Sequence, residues 1–103
     1  MMHFPAKKTK IVCTIGPASE SREMLARLNS NGMNVARLNF AHGDFESHAR
    51  VIENIRAAVA DTGQRVAIMG DLPGPKIRIG RLAEEPVELV RSQRFVLQTA
   101  DVA

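Results

Sequence analysis

One cysteine, no tryptophan and no tyrosine occur in these 103 residues. A lone thiol excludes an internal disulfide and fits a reducing compartment. Cys13 stands in the strand-like run Lys10-Ile-Val-Cys-Thr-Ile15 with no neighbouring base to activate it, so it is expected to act as a small buried hydrophobe. The four aromatics are all Phe and are not interleaved with basic residues, which argues against a base-stacking platform and a nucleic-acid partner. Charge of one sign is also scarce. The net charge is only +3, and part of the excess is Lys7, Lys8 and Lys10, read as a solvated N-terminal tail. No apolar run approaches the about 20 residues of a membrane span, and Met1 to Lys10 lacks the apolar core of a signal peptide. The expected address is the cytoplasm, with no membrane partner.

What is present is a chain with 45% hydrophobic residues, globular in character and long enough for one small core. A first strand is expected over Thr9 to Ile15, ended by Gly16-Pro17. Ser21 is placed to cap a helix through Met24, Leu25 and Leu28, and Gly32 to stop it, with Met33 as the following capping hydrophobe. A second strand follows over Asn34 to Phe40. Asp44 then caps a longer helix in which Phe45, Ala49, Ile52, Ile55 and Val59, at offsets 0, 4, 7, 10 and 14, define one apolar face. Gly63 ends that helix, and Arg65 to Asp71 is the third strand. This alternation predicts an α/β fold with a parallel sheet. After Leu72 the pattern changes. Pro73-Gly-Pro75 interrupts it, and the period-two pairs Ile77 and Ile79, Val87 and Leu89, and Phe95 and Leu97 predict antiparallel strands of a second, all-β module. The boundary falls near Gly74, giving segments 1–74 and 75–103, the second of them cut short in the last run, Leu97 to Ala103.

The second strand carries the chemistry. A parallel strand covered by helices is ordinarily an almost continuous apolar run. Here Ala36, Leu38 and Phe40 share one face, while Arg37, Asn39 and Ala41 share the other. An arginine and an asparagine directed into a protected face are costly unless they bind something. Ligands of parallel α/β folds sit at the carboxyl ends of the strands, where Asn39 and Asp71 both fall, with Arg37 one inward position deeper. Arg37 offers a planar, permanently charged fork suited to phosphoryl oxygens. Asn39 and Asp71 offer hard oxygens to a cation, and a cation beside a phosphate is the usual arrangement for phosphoryl transfer. Arg78, beyond the Pro-Gly-Pro break, is placed to swing over the same mouth on a hinged lid. His42 and His48 are six apart, a poor match to helical metal-ligand spacing, and His48 is read as a helix-face residue.

Thr9-Lys-Ile-Val-Cys-Thr-Ile-Gly-Pro-Ala-Ser19, Gly32-Met-Asn-Val-Ala-Arg-Leu-Asn-Phe40, Ala41-His-Gly43 and Asp71 with Gly74-Pro-Lys-Ile-Arg78 stand in an order and spacing that closely resemble the start of pyruvate kinase, over roughly residues 7 to 100. The resemblance implies the first three strands and two helices of a (β/α)8 barrel, followed by the beginning of an inserted β-barrel lid. It implies transfer of a phosphoryl group from phosphoenolpyruvate to ADP, giving pyruvate and ATP, by a full-length enzyme that is a homotetramer. Under it Arg37 is the catalytic, substrate-binding arginine that touches the transferring phosphoryl group. Asn39 and Asp71 are potassium ligands, the segment from Asn39 to His42 lies by the nucleotide, and Arg78 helps hold ATP phosphates.

Three departures stand out. Ala41 occupies a position where the family usually has a potassium-ligating Ser. Leu72-Pro73 replaces a usual Thr-Lys, and Lys76 stands where Glu is common. At least one side-chain oxygen is thus missing, which leaves the potassium site open. A (β/α)8 barrel needs about 200 residues or more, and the family's catalytic lysine and magnesium ligands lie beyond residue 103. The 103-residue chain alone is therefore expected to be inactive. Two other readings stay open: a relative that binds a phosphorylated metabolite without catalysis, and a truncated segment with no role of its own.

Overall fold

The computed structural model describes residues 7–100. Residues 101–103, the end of the last expected run, lie outside that range. The elements follow in the order β1 (Val12–Thr14), α1 (Arg22–Ser30), β2 (Val35–Asn39), α2 (Phe45–Thr62) and β3 (Ala67–Asp71). The three strands form one parallel sheet in the order β1-β2-β3. Val12 pairs with Val35 and Thr14 with Arg37, while Arg37 pairs with Met69 and Asn39 with Asp71. Each strand is shorter than its apolar run, because a ladder extends only as far as a neighbour offers partners. Single bonds still prolong it, from Ile15 N–H to Arg37 O at 2.9 Å and from Phe40 N–H to Asp71 O at 3.0 Å.

Local chemistry sets the helix ends. The Ser21 hydroxyl accepts from Met24 N–H at 3.3 Å, satisfying one of the free donors of the first turn. At the other end Gly32, with φ 109°, closes a Schellman turn: Met33 N–H donates to Leu28 O at 3.0 Å and Gly32 N–H to Asn29 O at 3.1 Å. Met33 is then buried against the core, as the capping pattern requires. α2 opens with a reciprocal box in which Asp44 Oδ1 accepts from Ser47 N–H at 2.7 Å and Ser47 Oγ accepts from Asp44 N–H at 3.1 Å. The Ser47 backbone bond holds the Asp44 carboxyl below its ordinary pKa. Gly63, with φ 70°, ends α2 in the left-handed conformation.

Both helices cover the same face of the sheet. Leu25, Ala36, Leu38 and Ile55 are fully enclosed, with Ile15, Met33, Val51 and Ala58 completing the core and Cys13 packed against it. Each large side chain so buried contributes about 1.5–3 kcal/mol. The buried stripe of α2 is Val51, Ile55 and Ala58, flanked by the partly buried Ile52 and Val59. The expected stripe was rotated from this one. Phe45 is 85% exposed and Ala49 is exposed, because the first turns of α2 lie beyond the cover of α1. The helices are tied side by side at three points. Asn54 donates to Glu20 O at 2.9 Å, and Arg22 grips Asp61 through two bonds of 2.7 and 2.6 Å, drawing the Asp61 carboxyl below its usual range. Buried Asn29 donates to Thr62 Oγ1 at 2.6 Å and to Gln64 O at 3.1 Å.

Among the described residues, the last strand or helix ends at Asp71. The antiparallel strands expected at Ile77 and Ile79, Val87 and Leu89, and Phe95 and Leu97 are absent among the described residues. Alternation marks a strand only where a second chain supplies the ladder, and these side chains are all exposed, Ile77 completely.

Two substitutions test the packing. Asn29→Ala removes both side-chain bonds at the end of α1 and is expected to lower stability by about 1–3 kcal/mol, read as a shift in the urea midpoint. At Gly70 an added Cβ would lie 2.9 Å from the Phe40 ring. Gly70→Ala therefore overpacks the helix face by about 1–3 kcal/mol, and a thermal midpoint equal to that of the parent would refute this packing.

Candidate active site

Because Ala36 and Leu38 are drawn under the helices, strand alternation sends Arg37 and Asn39 to the opposite, open face of the sheet. The register then brings Asp71 level with Asn39 and Thr14 level with Arg37. The result is a cluster spanning all three strands. Arg37 Nε donates to Asp71 Oδ2 at 3.0 Å, Nη2 donates to the same oxygen, and Nη1 donates to Thr14 Oγ1 at 2.9 Å. The Arg37 side chain is 28% exposed and that of Asp71 47%, so the pair is reachable from solvent yet held on both flanks.

The neighbouring turn is built by Asn39. Its Oδ1 accepts from Ala41 N–H at 3.1 Å, an Asx turn, and its carbonyl accepts from His42 N–H at 3.2 Å. The chain then passes Gly43, with φ 76°, into the α2 cap. His48 reaches back from the first turns of α2, its Nε2 donating to His42 O at 2.8 Å, and its ring lies 4.5 Å from that of Phe40. This bond fixes the proton on Nε2, since a carbonyl only accepts. An open hollow of about 260 Å³ lies between Phe40, Gly43, Asp44, Phe45 and His48.

Arg37, Asn39 and Asp71 are thus brought together at one rim, with His42 on the adjoining turn. Arg78 is exposed, and no hydrogen bond or ion pair joins it to them among the described residues. Two participants escaped sequence reasoning. Thr14 was read only as part of an apolar strand, although its phase on β1 was the available signal. His48, read as a face residue, holds the turn that carries His42.

For cations the donor set is partial. Asp71 Oδ1 is left over by the Arg37 pairing, whereas Asn39 Oδ1 already accepts from Ala41 N–H. Ala41 and Leu72 add no side-chain oxygen. Among the described residues no group of three or more His, Cys, Asp or Glu comes together.

Comparison with known proteins bears on the family of the whole chain. The family model described as pyruvate kinase, barrel domain, covers residues 6–103. The pyruvate kinase of Thermococcus litoralis is 46% identical over 101 residues, taking in 98% of this chain and 21% of that protein. That of Geobacillus stearothermophilus is 52% identical over 96 residues, 93% of this chain and 16% of the relative. A crystal structure of a pyruvate kinase from Cryptosporidium parvum superposes with a TM-score of 0.64 at 51% identity, covering 66% of this chain and 14% of that one. The chain spans about a fifth of the length of the first of these relatives and less of the second. With three parallel strands, two covering helices and this match over nearly its whole length, the chain belongs to the pyruvate kinase family.

Proposed function

We propose that the complete enzyme containing this segment moves a phosphoryl group from phosphoenolpyruvate to ADP, and that Arg37 is the residue of this chain that acts on the group in flight. The observation that carries the reading is the placement of Arg37 on the open face at the carboxyl end of the sheet, flanked by Asp71 and Thr14. As the phosphoryl group leaves the enol oxygen and meets the terminal phosphate of ADP, charge spreads over its outer oxygens. A fixed guanidinium stabilises that charge without reorganising at the moment of transfer. The enolate left behind takes up a proton to become pyruvate.

The nucleotide lies by the turn from Asn39 to His42, and the hollow beside Phe45 supports this by offering an exposed ring next to that turn. Arg78 reaches the nucleotide phosphates when the segment after Gly74 closes over the mouth. Segment 1–74 is the start of a (β/α)8 barrel, and 75–103 opens an inserted lid whose strands pair with chain further on. The divalent ion is held by residues outside this chain. Asn39 and Asp71 are the residues of this chain that would hold potassium, which would supply positive charge to the site. The assembled enzyme is a cytoplasmic homotetramer.

Two measurements test this. In a lactate dehydrogenase-coupled assay of the complete enzyme, Arg37→Ala is expected to lower kcat by about 10²–10³-fold with an unchanged circular dichroism spectrum; near-parental turnover removes the role. Because Ala41 and Leu72 supply no side-chain oxygen, omission of potassium is expected to reduce kcat by less than about tenfold, equivalent to 1.4 kcal/mol. A larger drop would show that backbone oxygens complete the site.

A further inference from the structure

The geometry points to Thr14 as the residue that fixes the plane of the Arg37 guanidinium for the phosphoryl group. This rests on the phosphoryl-transfer reading above and adds a positioning residue to it. A guanidinium has five N–H bonds. Nε and one N–H of Nη2 both end on a single oxygen, Asp71 Oδ2, and one N–H of Nη1 ends on Thr14 Oγ1. One N–H then remains on Nη1 and one on Nη2, leaving two charged donors for phosphoryl oxygens.

Two bonds that converge on one atom do not hold a plane, because the group can still rock about that oxygen. The third bond, on another nitrogen and from the other flanking strand, removes this freedom. Thr14 suits the task in three ways. It stands opposite Arg37 in the β1–β2 ladder, and the Ile15 N–H to Arg37 O bond of 2.9 Å anchors the two backbones just beside it. Its branched Cβ restricts rotation about χ1, so the hydroxyl is presented in a defined direction. It is also a neutral acceptor. A second carboxylate at that place would make the cluster net negative and repel the incoming anion, whereas a hydroxyl orients Arg37 without reducing its charge.

The test uses the complete enzyme. Thr14→Val keeps the shape and removes the acceptor, and is expected to lower kcat by about 10–100-fold, the scale of a misplacement near 1 Å, with the KM for ADP held within twofold on the order of measurement error. Thr14→Ser, which restores the hydroxyl, is expected to recover kcat to within about threefold of the parent. In an Arg37→Ala background Thr14→Val is expected to cost nothing further, since its effect passes through Arg37. Thr14→Ala repeats the comparison if the valine variant does not fold. Parental kcat in both the valine and the alanine variants, or a full additional loss in the Arg37→Ala background, overturns the inference while leaving Arg37 in its role. Parental turnover by Arg37→Ala overturns the phosphoryl-transfer reading, and this inference with it.

Discussion

Everything in this segment depends on how β2 divides its side chains between two faces. Ala36 and Leu38 vanish beneath α1 and α2, and that burial decides where the sheet, the helices and the open face lie. Arg37 and Asn39 have no choice but to project from the opposite face. A shift of one residue in register would exchange the two sets, placing a guanidinium against Leu25 and Ile55 at prohibitive cost. The polar cluster is therefore a consequence of the apolar packing on the other side of the same strand.

The cluster gains order from the sheet rather than from any loop. Thr14, Arg37 and Asp71 come from three adjacent strands whose backbones are already locked by hydrogen bonds. Side chains carried by such elements are held more accurately than side chains on turns. The softer part, the turn from Asn39 to Gly43, is stiffened locally by the Asx bond of Asn39 and by His48 on the His42 carbonyl. Phe40 joins the two regions, since its ring packs at a tilt against that of His48 and lies over Gly70 of β3. A bulkier residue at Gly70 would thus be felt both in the core and in the turn.

The parts of the fold visible in the sequence were those whose cause lies within a few residues. Ser21, Gly32, Asp44 and Gly63 each act on donors or carbonyls three to five positions away, so these caps and the apolar spacing between them located both helices. Arg37, Asn39 and Asp71 were visible because polar residues interrupt apolar strands. Less of the rest was legible. The rotation of the α2 stripe depends on where α1 lies, and Phe45 cannot announce that no neighbour reaches it. Strands after Leu72 were inferred from alternation, but pairing partners, which period two does not supply, are missing there among the described residues.

By itself, the amino-acid order determined the sequence of elements, their caps and the identity of the residues on the open face of β2, because helix ends and strand alternation are short-range physics. Only the tertiary structure decided that Thr14 meets Arg37, that Arg37 spends two donors on one oxygen of Asp71, and that His48 supports the turn bearing His42. The first two contacts join residues 23 and 34 positions apart. At such separations no local preference acts, and the register of the sheet alone determines which side chains meet.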